Sequence, residues 1–188
     1  MARTPSNMLP LGTIAPPFHL MDSVSEKDLD LATIKGEKGT LIMFICNHCP
    51  FVKHVNPEIS NLGEEYQKKG IGFIAISSND IINYPEDAPH LMKETAHDEG
   101  YTFPYLYDGT QEVAKAYDAA CTPDFYLFDD NLELVYRGQL DDSRPGNGIP
   151  VTGKDLRSAM NALLDGKKID DHQKPSIGCN IKWTETQA

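Results

Sequence analysis

Two cysteines, Cys46 and Cys49, stand three residues apart, with Asn47 and His48 between them and Pro50 behind. A thiol pair at that spacing can close a small disulfide ring and reopen it, so these residues point to dithiol chemistry. The attacking species is a thiolate, favoured where free backbone N–H groups and a helix dipole converge. Cys46 is therefore expected to be the reactive thiol, near a helix N-terminus. Cys49, one helical turn on, would resolve the mixed disulfide. A protonated His48 would lower the thiol's pKa further and make the couple more oxidising. Cys121 and Cys179 are candidates for additional redox roles, although a lone cysteine is often an inert buried hydrophobe. A second chemistry open to the same residues is metal binding. Cys46, Cys49 and a histidine such as His54, or Cys121, would make a four-coordinate zinc or soft copper site. The chain lacks the second Cys-x-x-Cys or the His-x-x-x-His that would favour it. No metal is expected.

The surrounding elements must place these thiols. "TLIMFIC", ending at Cys46, is a continuous apolar, β-rich run suited to a strand buried on both faces. Val52, Val55, Ile59, Leu62 and Tyr66 follow at spacings of 3, 4, 3 and 4, which is one face of a helix. Pro57 lies inside that pattern and should kink the helix without ending it. "IGFIAISS" is a second apolar strand, and the stretch 85–100 is expected to be an amphipathic helix ending at Gly100. A short strand at "FPYLYD", a short helix at "GTQEVAKAYDA", and two strands, "DFYLFD" and "LELVYRG", joined through Asp130-Asn131, come next. Leu156, Met160, Leu163 and Leu164 mark a last helix, and the tail from Ile169 has no clear period. The order β-α-β-α-β-α-β-β-α predicts a mixed central sheet flanked by helices.

The 188 residues carry 17 basic and 28 acidic side chains, a formal charge of −11. Such a surface repels nucleic acid and anionic lipid, so neither is expected as a partner. No run approaches the roughly 20 apolar residues of a membrane span, and the N-terminus has no apolar signal region. A cytoplasmic location is the expectation. Four cysteines are too few for a disulfide scaffold in a chain this long.

The sequence resembles the thioredoxin fold: a strand, Cys-x-x-Cys, a kinked helix, then Thr-Pro before a hairpin. "CTPDFYLFD" at 121–129 is similar to the loop where that fold carries a cis-proline facing the dithiol, which makes Pro123 that residue. "GTIAPPFHL" resembles the N-terminal signature of redoxins, the alkyl hydroperoxide reductase and thiol-specific antioxidant type. With "CNHCPFVKH" and "PSIGCNIKW" it resembles a bacterial peroxiredoxin-like thioredoxin subfamily over about residues 10–183. The resemblance implies an α/β, thioredoxin-like domain spanning 1–188 with an N-terminal redoxin-type extension. Its core would span about 10–168, with the tail 169–188 packed on it. It implies no organic cofactor. A peroxiredoxin carries Thr or Ser three residues before its peroxidatic cysteine; here Cys46 stands three before Cys49, and Met43 three before Cys46.

The expectation is therefore a thiol–disulfide oxidoreductase acting through Cys46, Cys49, His48 and Pro123. Thiol-dependent peroxide reduction is the alternative, and a zinc- or copper-binding module the second. Substrates would be a disulfide-containing protein, a small thiol or a peroxide. Exchange needs an accessible sulfur and a resolving partner, and the motif is read as offering both. Arg137, after a strand, is an auxiliary candidate for orienting a thiolate or peroxide by charge. Asp141 and Asp142 read as turn chemistry.

Overall fold

The computed structural model describes residues 3–185. Among the described residues ten strands and five α-helices follow one another. β1 (Arg3–Pro5) comes first. β2 (His19–Asp22) and β3 (Asp28–Asp30) form a short antiparallel hairpin that leads into α1 (Leu31–Ile34). The apolar run becomes β4 (Gly39–Phe44), followed by α2 (Pro50–Gln67) and β5 (Ile71–Ser77). After a 3-10 turn over Pro85–Asp87 come α3 (Pro89–Asp98), β6 (Tyr105–Tyr107) and α4 (Glu112–Ala116). β7 (Cys121–Thr122), β8 (Asp124–Asp129), β9 (Leu134–Gly138), α5 (Lys154–Leu164) and β10 (Ile177–Asn180) complete the fold.

Seven strands form one mixed sheet in the order β3-β2-β6-β5-β4-β8-β9. β4, β5 and β6 run parallel, and β8 and β9 add an antiparallel edge. β4 is buried on both faces, so the side-chain period of two splits it between two cores. Leu41 and Met43 pack with the apolar stripe of α2, while Ile42 and Phe44 pack with Tyr117, Tyr126 and Phe128 on the other side.

α2 runs unbroken through Pro57, and Val52, Val55, Ile59, Leu62 and Tyr66 form its buried stripe as the spacing predicts. The helix expected from residue 85 instead begins at Pro89. Ala88 precedes that proline and is held extended, at φ −62° and ψ 148°, so the first turn stays separate. The tail without periodicity contains β10, which β1 and β7 flank in a second, three-stranded sheet, β1-β10-β7. Among the described residues no helix is long and apolar enough to cross a membrane.

Candidate active site

The loop between β4 and α2 carries the dithiol. Pro50 occupies the first helical position, where its missing N–H costs nothing and its fixed φ suits the helix. That choice makes Cys49 the residue capping α2 and leaves Cys46 in the loop behind it. The two cysteines do not share a helical turn, contrary to the sequence expectation. The helix dipole converges on Cys49 rather than on Cys46.

Opposite the dithiol lies the junction of β7 and β8, where the Thr122–Pro123 peptide is cis. Cys46 Sγ is 3.4 Å from Thr122 Oγ1, and Cys49 Sγ is 3.3 Å from the Thr122 carbonyl oxygen. A third sulfur joins them: Cys179 of β10 lies 2.7 Å, sulfur to sulfur, from Cys49. The register explains its arrival, because Cys179 pairs directly with Thr122. All three are covered, with Cys46 2% exposed, Cys49 0% and Cys179 1%. The accessible sulfur expected from the motif is therefore absent from this conformation.

The proton is unevenly shared between Cys46 and Cys49. The Cys49 thiol is lowered to about 5, first by the hydrogen bond from Cys46, with Cys179 and the Val52 N–H adding support against the cost of burial. Cys46 is pushed well above the ordinary thiol value by its bond to Cys49, by burial and by the nearby Asp87 carboxylate. Cys179 is raised to about 12 by burial and by its bond to Cys49. The shifts favour the thiolate on Cys49, the residue expected to resolve, over Cys46, the residue expected to attack, with the hydrogen bond between the two as the leading cause.

His48 Nδ1 lies 2.6 Å from Asp87 Oδ2, and the imidazole stacks on Tyr84 at 5.6 Å between centroids. Asp87 is buried and also accepts from the backbone N–H groups of Asn47 and His48 and from Asn79 Nδ2. Its hydrogen bond raises the pKa of His48. Burial alone would raise Asp87, but the bonds from His48 and Asn79 outweigh it and hold the carboxyl below its ordinary value. His48 is thus turned to Asp87 rather than to a thiol, and the hydrogen bond to that carboxylate favours its protonated form. Asp87 also ties the loop backbone in place.

Cys46, His48 and Asp87 offer donor atoms within 4.8 Å of one another. This is a different set from the one expected. Asp87 already accepts four hydrogen bonds, one of them shared with the His48 imidazole, so the group fits a proton-sharing pair better than a cation. Cys121 lies in β7 with its sulfur 3.8 Å from the Pro123 carbonyl oxygen, and burial pushes its thiol up. It neighbours the cis-proline without joining the three-thiol contact. Arg137 is not brought to the thiols. It sits on edge strand β9 with Nε on the Leu9 carbonyl and Nη1 on Gln173. His54 Nε2 pairs with Ser143 Oγ at 2.7 Å and belongs to the loop before α5. Asp141 makes the expected turn contact with Ser143 N and additionally binds the N–H groups of Thr152 and Gly153.

Sequence reasoning missed Asp87 and Thr122 as parts of the site. Asp87 lies between Pro85 and Pro89 in a run that reads as an amphipathic helix, where an acid is ordinarily solvated. The two prolines were the available signal that the backbone turns there.

Residues 11–137 match the AhpC/TSA family. A curated relative, the thiol-disulfide oxidoreductase ResA of Oceanobacillus iheyensis, is 28% identical over 136 residues, covering 69% of this chain and 66% of that protein. The chain thus spans slightly under two thirds of that relative's length. Among solved structures, an uncharacterized conserved protein from Geobacillus kaustophilus is 59% identical, with a TM-score of 0.97 over 99% of this chain and 98% of the other. A putative thioredoxin from Neisseria meningitidis, 22% identical, superposes with a TM-score of 0.62 over 84% of this chain and 94% of its own, a likeness of fold. The architecture is thioredoxin-like, with a mixed central sheet flanked by helices, and the chain belongs to the AhpC/TSA family.

Proposed function

We propose that the protein is a thiol–disulfide oxidoreductase whose working pair is Cys46 and Cys49. The observation that carries this reading is geometric: both sulfurs face the cis Thr122–Pro123 junction, Cys49 capping α2 and Cys46 in the loop beside it, and the shifts favour a thiolate on Cys49. The thiolate attacks one sulfur of a substrate disulfide and expels the other as thiolate, leaving a mixed disulfide on Cys49. Cys46 then surrenders its proton and attacks Cys49. An internal Cys46–Cys49 bridge forms, and the substrate leaves reduced, one sulfur taking the proton from Cys46 and the other a proton from solvent. His48 and Asp87 hold the loop and keep the site's charge balanced. The curated relative named above supports the same reaction class. Disulfide-bearing proteins are the proposed substrates. Because all three sulfurs are covered, the loop or β10 has to open to admit them.

The position of the charge also favours a second reading. Cys49 is the cysteine with Cys46 three residues before it, the place where a peroxiredoxin has its hydroxyl, and the Cys46 thiol is a hydrogen-bond donor there. Peroxide reduction is therefore proposed as the alternative activity. Stopped-flow measurement on reduced protein decides. The exchange reading expects a faster second-order rate with a protein disulfide than with hydrogen peroxide. It also expects loss of two thiols per chain, and no turnover in C49S. A faster peroxide rate would make peroxidase the leading function.

A further inference from the structure

The reaction proposed above uses two thiols, and the fold delivers a third. We propose that Cys179 is a redox cysteine that takes over the disulfide from Cys46, converting the Cys46–Cys49 bridge into a Cys49–Cys179 bridge. This inference rests on the oxidoreductase reading and extends it.

Three independent features place Cys179. Its sulfur is 2.7 Å from Cys49, so a closure of about 0.7 Å brings the pair to a disulfide bond of about 2.05 Å. The strand that carries it is clamped on both edges, with Cys179 opposite Arg3 of β1 and opposite Thr122 of β7. The clamp extends past the strand: Ser176 Oγ donates to the Pro123 carbonyl, Ile181 N donates to Ala120 O, and Lys182 donates its N–H to Asn79 Oδ1 and accepts at its carbonyl from Asp80 N. Gly178 is the third feature. A Cβ at that position would sit 1.9 Å from the Thr122 carbonyl oxygen, so glycine lets β10 lie flush on the cis-proline loop. A residue held merely as filler needs no such approach.

The step balances without an outside reagent. Cys179 S–H attacks Cys49 Sγ, the Cys46–Cys49 bond breaks, and Cys46 leaves as thiolate and takes the proton given up by Cys179. One disulfide and one thiol exist before and after, and no net electron moves. The two oxidised forms differ in reach. Cys46–Cys49 closes a small loop, whereas Cys49–Cys179 joins residues 130 apart and fastens β10 over the site. The oxidising equivalent is then stored beneath a pinned strand until the equilibrium returns it.

Disulfide mapping tests this on the full chain. The reduced protein is treated with one equivalent of diamide, free thiols are blocked with N-ethylmaleimide in acid, and the digest is analysed by mass spectrometry. The wild type is expected to yield both Cys46–Cys49 and Cys49–Cys179 peptides. Cys46→Ser should lose two thiols per chain as Cys49–Cys179 alone, and Cys179→Ser should yield Cys46–Cys49 alone. Cys46–Cys49 as the sole bridge in the wild type, together with no intramolecular bridge in Cys46→Ser, would overturn the role of Cys179 and leave the oxidoreductase reading standing. Wild-type protein that forms neither bridge would overturn both. The wild-type map stands by itself if either variant fails to fold.

Discussion

The two sheets of this molecule are built on opposite terms. The seven-stranded sheet is made of apolar runs that pair in long register, β4 with β5 over six residue pairs and with β8 over six. The three-stranded sheet joins β1, β10 and β7, elements from both chain ends and the middle, through two or three pairs at each edge. The first supplies stability, because Leu41, Ile42, Met43 and Phe44 are fully buried on its central strand. The second brings Cys179 against Cys49, and the residues just outside its strands bind the start of β8, Ser6 Oγ to Asp124 and Ser176 Oγ to the Pro123 carbonyl. A large hydrophobic sheet and a small polar one divide the tasks of holding the fold and assembling the site.

Three experiments break or sharpen that division. The largest effect is expected in the large sheet. Phe44 is wholly buried and packs on Tyr117 and Tyr126 at 5.7 and 5.8 Å between centroids. Phe44→Ala should cost about 3–5 kcal/mol in urea denaturation, from lost transfer energy and the cavity left behind.

An intermediate effect is expected in the small sheet. Gly178→Val places a Cβ against the Thr122 backbone oxygen, which has no side-chain freedom with which to retreat. β10 must lift, at a cost of about 1–3 kcal/mol typical of overpacking, and the Cys49–Cys179 bridge should vanish from the disulfide map. If this variant is destabilised as much as Phe44→Ala, the small sheet belongs to the stabilising core and the division fails.

The smallest effect concerns charge alone. Cys49 should titrate near 5, so thiolate ultraviolet absorbance grows as pH rises through that value and is complete by neutrality. Cys46→Ala removes the leading donor to Cys49. The midpoint should move upward by a unit or more, each unit being about 1.4 kcal/mol, toward the free value of roughly 8.5. Less thiolate would then remain at pH 6. An unmoved midpoint would mean that the helix end and Cys179 hold the charge without Cys46.

The large sheet was legible because its information is local. Continuous apolar runs announced β4 and β5, the 3-4-3-4 spacing announced the buried face of α2, and the Asp130-Asn131 turn announced the β8–β9 hairpin. The dithiol and the proline facing it were legible too, through Cys-x-x-Cys and Thr-Pro at their places in the chain. The role of each thiol was not. Whether Cys46 or Cys49 receives the helix dipole depends on where α2 starts, and Pro50 at the first helical position moves that start past Cys46. The aim of His48 was hidden as well, because its partner Asp87 is 39 residues away on a turn whose burial no periodicity reports.

By itself the sequence determined the kinds of group available: four thiols, a histidine beside two of them, and alternating apolar elements able to bury them. Tertiary structure alone decided which thiols meet. Cys49 and Cys179 are 130 residues apart, and β10, four residues long, is too short to declare itself as a strand. Its place is set by backbone hydrogen bonds to β1 and β7, which, the Gly178 requirement apart, leave no mark on side-chain pattern. Local pattern records what a segment buries, and only the assembled chain determines what it is buried against.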